Sequence, residues 1–520
     1  MTSATVVASK RGWLRWVQLA IVCLTFFIDI ANLGMCTIAL PTIQSDLGFS
    51  QGALQWVLTA YSLTYGGFLV IGGRLGDIFG QEMTLKISMG FFNIFTLACA
   101  LAPTQIGLVV SRAFQGIAAA FTIPAAQASV AHLFPEPRMR GLALSWWGAS
   151  GSLGFVLGPI FGGLFTSLVT WRWIFWFPLI VEGFLLILAV FLLRDVAPPA
   201  AGKNLAWKQI VSRCDPLGTV LSVTGVILLI YALTSGNTDG WRNSGVISTL
   251  VISIVCLSVL VYVEAKVVPH PLVPNHLWTG GKLPIACLLA ALTYAVWQGA
   301  NYFLTLELQS FGFSPLSTAV RFLPLGVTAF LINMALPHLL QPVGPHKILV
   351  TSWIFAIAGV VLLALIGSGS DYWRYCFPGM ILYILGVGSV YFVSMVTVVG
   401  SAPPQDQGAV AGVYNMSLNV GGAVLGLAIL TVINDSVASK NGGGEFQSAK
   451  VNGYRAAFYG AIGWAVIGLG LSILYNRLGQ SLISEAQDTP PNETTTATEQ
   501  PTAVEKVVPL RISQEEKTAV

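Results

Sequence analysis

Charge is what this 520-residue chain has least of. Asp, Glu, Lys and Arg make up 9% of it, against about 25% in soluble domains. So few charges cannot cover a soluble surface of this size, so lipid must be the solvent for much of the chain. Cysteine is scarce as well. The seven present, at 23, 36, 99, 214, 256, 287 and 376, form no CxxC pair. Most sit inside apolar runs, as small buried hydrophobes do, which argues against a disulfide or metal framework. The sequence has no ATP-binding glycine loop, so an ion gradient is the expected energy source. It also shows no nucleophile–base set and no metal cluster. Neither an enzyme nor a bound cofactor is expected. A net charge of +4 gives no sign of nucleic-acid binding.

What is present is apolar sequence, 55% of the residues. A helix needs about 20 apolar residues to cross the hydrocarbon core, and such runs recur from Trp13 almost to Arg477. Closed barrels are the other way to satisfy a backbone in lipid, but they require short alternating segments, and these runs are long and continuous. The first follows Lys10, Arg11 and Arg15. It is too long for a signal-peptide core and lacks a small-residue cleavage site, so it reads as the first span.

The runs predict fourteen helices: 14–38, 53–75, 84–102, 105–132, 141–167, 174–194, 216–234, 245–265, 283–308, 316–339, 347–366, 374–399, 407–433 and 456–476. If the N-terminus is cytoplasmic, that side holds 15 Lys and Arg against 6 on the other, leaving out the tail. A cytoplasmic excess is the expected sign, and an even number of spans puts both termini inside. The polar segments 195–215 and 266–282 divide the chain into a short N-terminus (1–12), a six-helix bundle (13–194), a linker carrying two extra spans (195–282), a second six-helix bundle (283–477) and a tail (478–520). The tail is rich in Thr, Glu, Gln and Pro, a composition that predicts disorder. The bundles echo each other. Gly73-Arg-Leu-Gly-Asp-Ile-Phe-Gly80 follows the second helix of the first, and Leu339-Leu-Gln-Pro-Val-Gly-Pro-His-Lys347 takes the matching place in the other. Internal repeats are the build of many secondary transporters.

Three motifs sharpen this. In the first, Gly73, Arg74, Asp77 and Gly80 form a tight turn, with glycine permitting the bend and Asp77 able to meet a helix N-terminus or a basic neighbour. The second is Arg112-Ala-Phe-Gln115-Gly116, which places an arginine within an apolar span. That costs a few kcal/mol, so the side chain should face a partner or a cavity. The third runs from Gly154 through Gly158-Pro159 to Gly162-Gly163. Glycines at 148, 151, 154, 158 and 162 form one smooth stripe for close helix approach, and Pro159 adds a bend. Each motif also has a plainer reading: a turn, a structural arginine, generic packing.

On these motifs, over roughly residues 13–477, the chain resembles the major facilitator superfamily and, within it, the fourteen-helix drug:proton antiporters. The fungal aminotriazole-resistance and boron-export branch is a further likeness. The resemblance implies an all-α polytopic membrane protein with the major facilitator fold, two six-helix bundles plus two inserted helices. It implies a cytoplasmic gate at Gly73–Gly80, proton coupling at Arg112, and export signalled by the glycine–proline stripe. Two departures stand out. The family has basic residues soon after the gate aspartate, where this chain has Ile78, Gln81 and Glu82. It also has a glycine nine residues before Gly154, where this chain has Ser145.

Asp29 is the expected proton carrier. It lies about fifteen residues into the first helix, roughly 22 Å from that helix's cytoplasmic end, and Arg112 lies roughly 10 Å below the outer end of the fourth. In a span of about 30 Å the two fall at similar depth, so one shared cavity is predicted. Burial raises a carboxyl pKa and a nearby arginine lowers it, and an acid poised between these can bind and release protons. A structural cap or pair is the alternative. Candidate cavity residues are Asn32, Gln115, Gln298, Asn301, Tyr302, Glu307 and Asn415. Residues 298, 301 and 302 share one helical face. Glu182, in the sixth helix, could pack against the inserted pair or join the coupling. The expected partners are a small-molecule substrate, protons and the bilayer, and the expected state is a monomer in the plasma membrane, with the vacuolar membrane as alternative. An uptake symporter, a uniporter or a sensor on a transporter fold are the competing readings.

Overall fold

The computed structural model describes residues 3–49, 54, 56–193, 214–269, 271–279, 282–313, 315–440 and 447–488. Within them the chain is almost wholly helical. The helices of the first bundle are α1 (Ser3–Leu47), α2 (Trp56–Phe79), α3 (Gln81–Leu101), α4 (Gln105–Leu133), α5 (Pro137–Leu168) and α6 (Trp173–Leu192). The inserted pair is α7 (Pro216–Asp239) and α8 (Ser244–Lys266). The second bundle has α9 (Lys282–Ser310), α10 (Leu323–Val343), α11 (Pro345–Ala364), α12 (Cys376–Ser401), α13 (407–440) and α14 (Gln447–Asp488).

Thirteen of these are individually long and apolar enough to cross a membrane. The remaining span is α13. Its regular turns run Gln407–Gly421 and Leu430–Lys440, joined by a π-helical stretch at Gly422–Ile429. The break shortens each regular piece without ending the helix, so the architecture is the expected fourteen. π-Helical turns inside α-helices are frequent at functional sites. Most ends differ from the hydropathy reading by a few residues. The larger differences are at polar ends: α1 continues through Pro41 to Leu47, and α14 begins at Gln447 and is helical as far as Asp488. The expected disordered tail therefore starts as helix, and 489–520 lies outside the described residues, as does most of the 195–215 connector.

In the first bundle α1 packs along α5, α2 along α4, and α3 on α4 and α6. In the second, α9 meets α12 and α13, and α10 and α11 meet α12. α14 lies on α11 and α13, with Gly468 against the Trp353 ring and Gly460 against Leu430. The bundles are joined mainly by α2 with α13 and α5 with α10, with smaller contacts of α4 with α13 and α5 with α12. The repeat is visible in the backbone too. Gly80 and Gly344 join the second and third helices of their bundles, both at positive φ (100° and 85°), a conformation glycine adopts without strain.

The inserted pair is fixed by shape. α7 lies over α2 and the π-helical stretch of α13, while α8 packs on α7. Gly66 and Gly67 of α2 open a notch for Ile230 and Ile227. A Cβ on Gly67 would stand 2.6 Å from Ile227 Cγ1. Trp56 and Tyr231 stack beside it with centroids 5.8 Å apart.

Candidate functional site

Asp29 and Arg112 meet through a third residue. Tyr61 of α2 donates its hydroxyl to Asp29 Oδ1, and the Arg112 guanidinium lies over the same ring, 4.4 Å from the centroid. The arginine is fully buried, and its fork is used in several directions. Nε donates to Val57 O at 3.0 Å, and Nη1 donates to Asn32 Oδ1 at 2.7 Å and Gln115 Oε1 at 2.6 Å. Gln115 then donates to Thr96 at 2.7 Å, and Asn32 to Ile174 O at 3.3 Å. Only Nη2 lacks a partner. A buried charge is tolerable when its hydrogen-bonding capacity is filled, and five helices contribute to that here. Asn32 and Gln115, read from sequence as cavity residues, are sealed against Arg112 and orient it. Asp29 itself is 6% exposed, so the pair sits in a closed cluster.

Tyr65, one turn along α2, stacks on Tyr61 with centroids 6.1 Å apart. It lies within electrostatic reach of Asp29, Tyr294 of α9 and Tyr391 of α12. Tyr294 stacks on Trp297 at 4.9 Å, and Phe155 of α5 meets Trp297 edge-on at 5.7 Å. Tyr65, Phe155, Tyr294, Trp297 and Tyr391 are half-buried. An aromatic surface contributed by both bundles thus begins next to Asp29. Sequence reasoning missed it. Single tyrosines in apolar helices look like packing residues, and only the fold brings them together.

The other polar candidates separate into distinct places. Asn301 accepts a 2.6 Å bond from Tyr383, and its Nδ2 has no partner. Gln298 is half-buried, whereas Tyr302 is 43% exposed. Glu307 is buried near Arg455 of α14, away from Asp29. Asn415 donates to Gln127 Oε1 of α4 at 2.8 Å, which makes it a bond between the bundles. Glu182 faces Thr25 and Asp29 of α1; the inserted pair packs on α2 and α13 instead. Glu264, at the end of α8, is half-buried and accepts from Leu272 N at 3.1 Å.

The gate motif closes one face of the molecule. Asp77 accepts from the backbone N–H groups of Gly408 (2.9 Å) and Ala409 (2.8 Å) at the start of α13. A carboxylate at a helix N-terminus also meets the positive end of the helix dipole. Gln81 supplies the third donor, Nε2 to Asp77 Oδ1 at 2.7 Å. This accounts for the departure from the family pattern. A neutral amide occupies the place of a basic residue, and Glu82 is taken up by an ion pair with Lys86. Gly73 has to be glycine, since a Cβ there would lie 2.6 Å from the Gly408 carbonyl carbon. Further bonds across the same face are Arg74 to Asp406 (3.9 Å), His132 to Pro404 O (3.0 Å) and Arg140 to Gly400 O (2.9 Å).

The glycine stripe does not line the cluster. It seats α5 on α1. Cβ atoms at Gly154, Gly158 and Gly162 would stand 2.6 Å from Phe27 O, 2.6 Å from Ala31 O and 2.7 Å from Met35 Cα. Pro159 packs in turn against Gly34. Gly163 is half-buried. Among the described residues, no group of three or more His, Cys, Asp or Glu could hold a metal ion.

A fourteen-helix membrane protein of two joined bundles, with a buried charged cluster and a latched face, has the form of a polytopic transporter. The chain belongs to the Major Facilitator Superfamily, whose profile matches residues 22–426. It is 32% identical over 462 residues to the puromycin resistance protein pur8 of Streptomyces alboniger, covering 87% of this chain and 88% of that one. It is 29% identical over 461 residues to the multidrug transporter mfsC of Aspergillus fumigatus, covering 85% of this chain and 84% of that one. Among solved structures, the human organic anion transporter MFSD10 superposes with a TM-score of 0.62 at 17% identity, covering 87% of this chain and 98% of that one. At that identity the likeness concerns the fold. The chain is therefore a multi-pass membrane transporter of small molecules and not an enzyme.

Proposed function

We propose that the chain exports small amphipathic compounds in exchange for protons by alternating access. Asp29 carries the proton, and Arg112 and Tyr61 tune it. The observation that carries this reading is the Asp29–Tyr61–Arg112 cluster at the edge of the shared aromatic surface. An acid with a hydroxyl donor and an indirect cation can exist in either charge state, and a substrate on the tyrosines would compete with its proton. Names of relatives that speak of puromycin resistance and multidrug transport support export as the direction.

In this reading the latched face is cytoplasmic, in accord with the lysine and arginine count, so both termini lie inside, in the plasma membrane or, alternatively, the vacuolar membrane. The test uses purified protein in liposomes with an imposed pH gradient, ethidium and puromycin as probes, and a trapped pH dye. Probe movement that requires the gradient and dissipates it supports the reading. Flux independent of the gradient would leave a uniporter, co-directional proton movement a symporter, and absence of flux a sensor.

A further inference from the structure

Glu182 is a buried acid that the mechanism above leaves without a task. It is the only charged residue in α6, a helix of mean hydropathy 2.4, and is 1% exposed. Leucine would serve packing there better. Among the described residues its surroundings give it no counter-ion. From α1 it meets the Thr25 side chain, itself 4% exposed, and the charge of Asp29 one helical turn further on. From α3, Asn93 reaches the adjoining α6 backbone at Leu179 and Gly183. Among the described residues no basic side chain acts on it; the Thr25 hydroxyl is the polar side chain beside it, and its Oε2 is left open. With only a hydroxyl beside it, an ionised carboxylate enclosed in this way bears much of its desolvation cost, which a bound proton removes. An acid retained at that cost inside a membrane span calls for a task.

We propose that Glu182, seated against Thr25, is a second proton-carrying residue that works as a pair with Asp29, so that one transport cycle returns two protons. Thr25 and Asp29 are four residues apart on α1 and share a face, so the two carboxyls belong to one electrostatic unit. With no cation between them, charge on one opposes charge on the other, and their protons are gained and released in linked steps. A carboxyl proton leaves to water when the site opens and is regained from the opposite side, so the acid itself is unchanged over the cycle.

The inference rests on the proton-coupled reading, so the test has one arm that does not. Infrared difference spectra of the purified protein, recorded between two pH values, report protonated carboxyl groups. The Glu182→Gln variant is expected to lose one carboxyl band, and that band is expected to shift in Asp29→Asn. A spectrum unchanged by Glu182→Gln, or a Glu182 band indifferent to Asp29→Asn, would overturn the pairing. In liposomes, the proton-to-ethidium ratio is expected to fall about twofold in Glu182→Gln and to be kept in Glu182→Asp. An unchanged ratio in a monodisperse Glu182→Gln protein also overturns it. A wild type that moves ethidium without protons defeats the antiport reading itself, and the spectra still decide whether the acids are paired.

Discussion

Asp29 and Arg112 are connected by Tyr61, whose hydroxyl binds the carboxylate while its ring supports the guanidinium. A direct ion pair would hold the acid permanently charged. An interposed hydroxyl gives a weaker hold that a proton can displace, and the arginine's hydrogen bonds go to amides and a backbone carbonyl instead.

Replacing Tyr61 with Phe keeps the ring under Arg112 and removes the donor. A hydrogen bond to a charged group contributes about 1.5–3 kcal/mol, and one pH unit corresponds to about 1.36 kcal/mol. Because the lost donor favoured the ionised acid, the midpoint of pH-dependent transport is expected to move about 1–2 units upward. Initial rates across a pH series in liposomes check this, and an unmoved midpoint contradicts it.

Arg112→Lys keeps the charge and loses the fork. Lysine is a compact point charge and cannot satisfy Val57 O, Asn32 and Gln115 together. With buried acceptors left open at about 1–3 kcal/mol each, the thermal midpoint in detergent is expected to drop along with transport. Retention of both would show that the charge alone matters.

At the gate, Asp77 is held by neutral donors. Such a latch is expected to respond little to ionic strength, because screening acts on exposed charges. Gln81→Arg would add a basic neighbour to Asp77, strengthen closure and slow turnover. Labelling of the Ala409→Cys variant, whose position is buried in the closed latch, from the N-terminal face at low and at high salt reads the open fraction. Labelling that rises steeply with salt would mean that ion pairs dominate closure.

Gly158→Ala and Gly388→Ala separate packing from helix propensity. At 158 the new methyl meets the Ala31 carbonyl, and overpacking costs about 1–3 kcal/mol. At 388, in α12, a new methyl would meet nothing within 4 Å, and alanine favours a helix by about 1 kcal/mol. The first is expected to destabilise and the second to be neutral or better in thermal unfolding. Equal behaviour would remove the stripe's role in seating α5 on α1.

How much of this could be read in the sequence follows from what each signal depends on. The fourteen spans were legible because solvent choice acts on long runs, and hydropathy reports it one helix at a time. Helix ends were less legible, since α1 and α14 extend past the apolar stretch into polar turns. Asp29 and Arg112 stood out because charges in apolar helices are rare. Tyr61, Gln81 and Gln127 did not. Each is ordinary in its own helix and gains its part only from a residue on another, from Asp29 to Asn415. The gate's missing basic residues looked like a loss until Gln81 was found bonded to Asp77.

The contact of α1 with α5 has a mechanical side. Its three notches come at four-residue steps, about 6 Å apart along the axis, so the two helices cannot creep past one another in small increments. Asp29 therefore has no vertical travel of its own relative to α5. In the proposed alternating-access cycle the acid would then keep its height as the bundles rock, and only the side from which water reaches it would change.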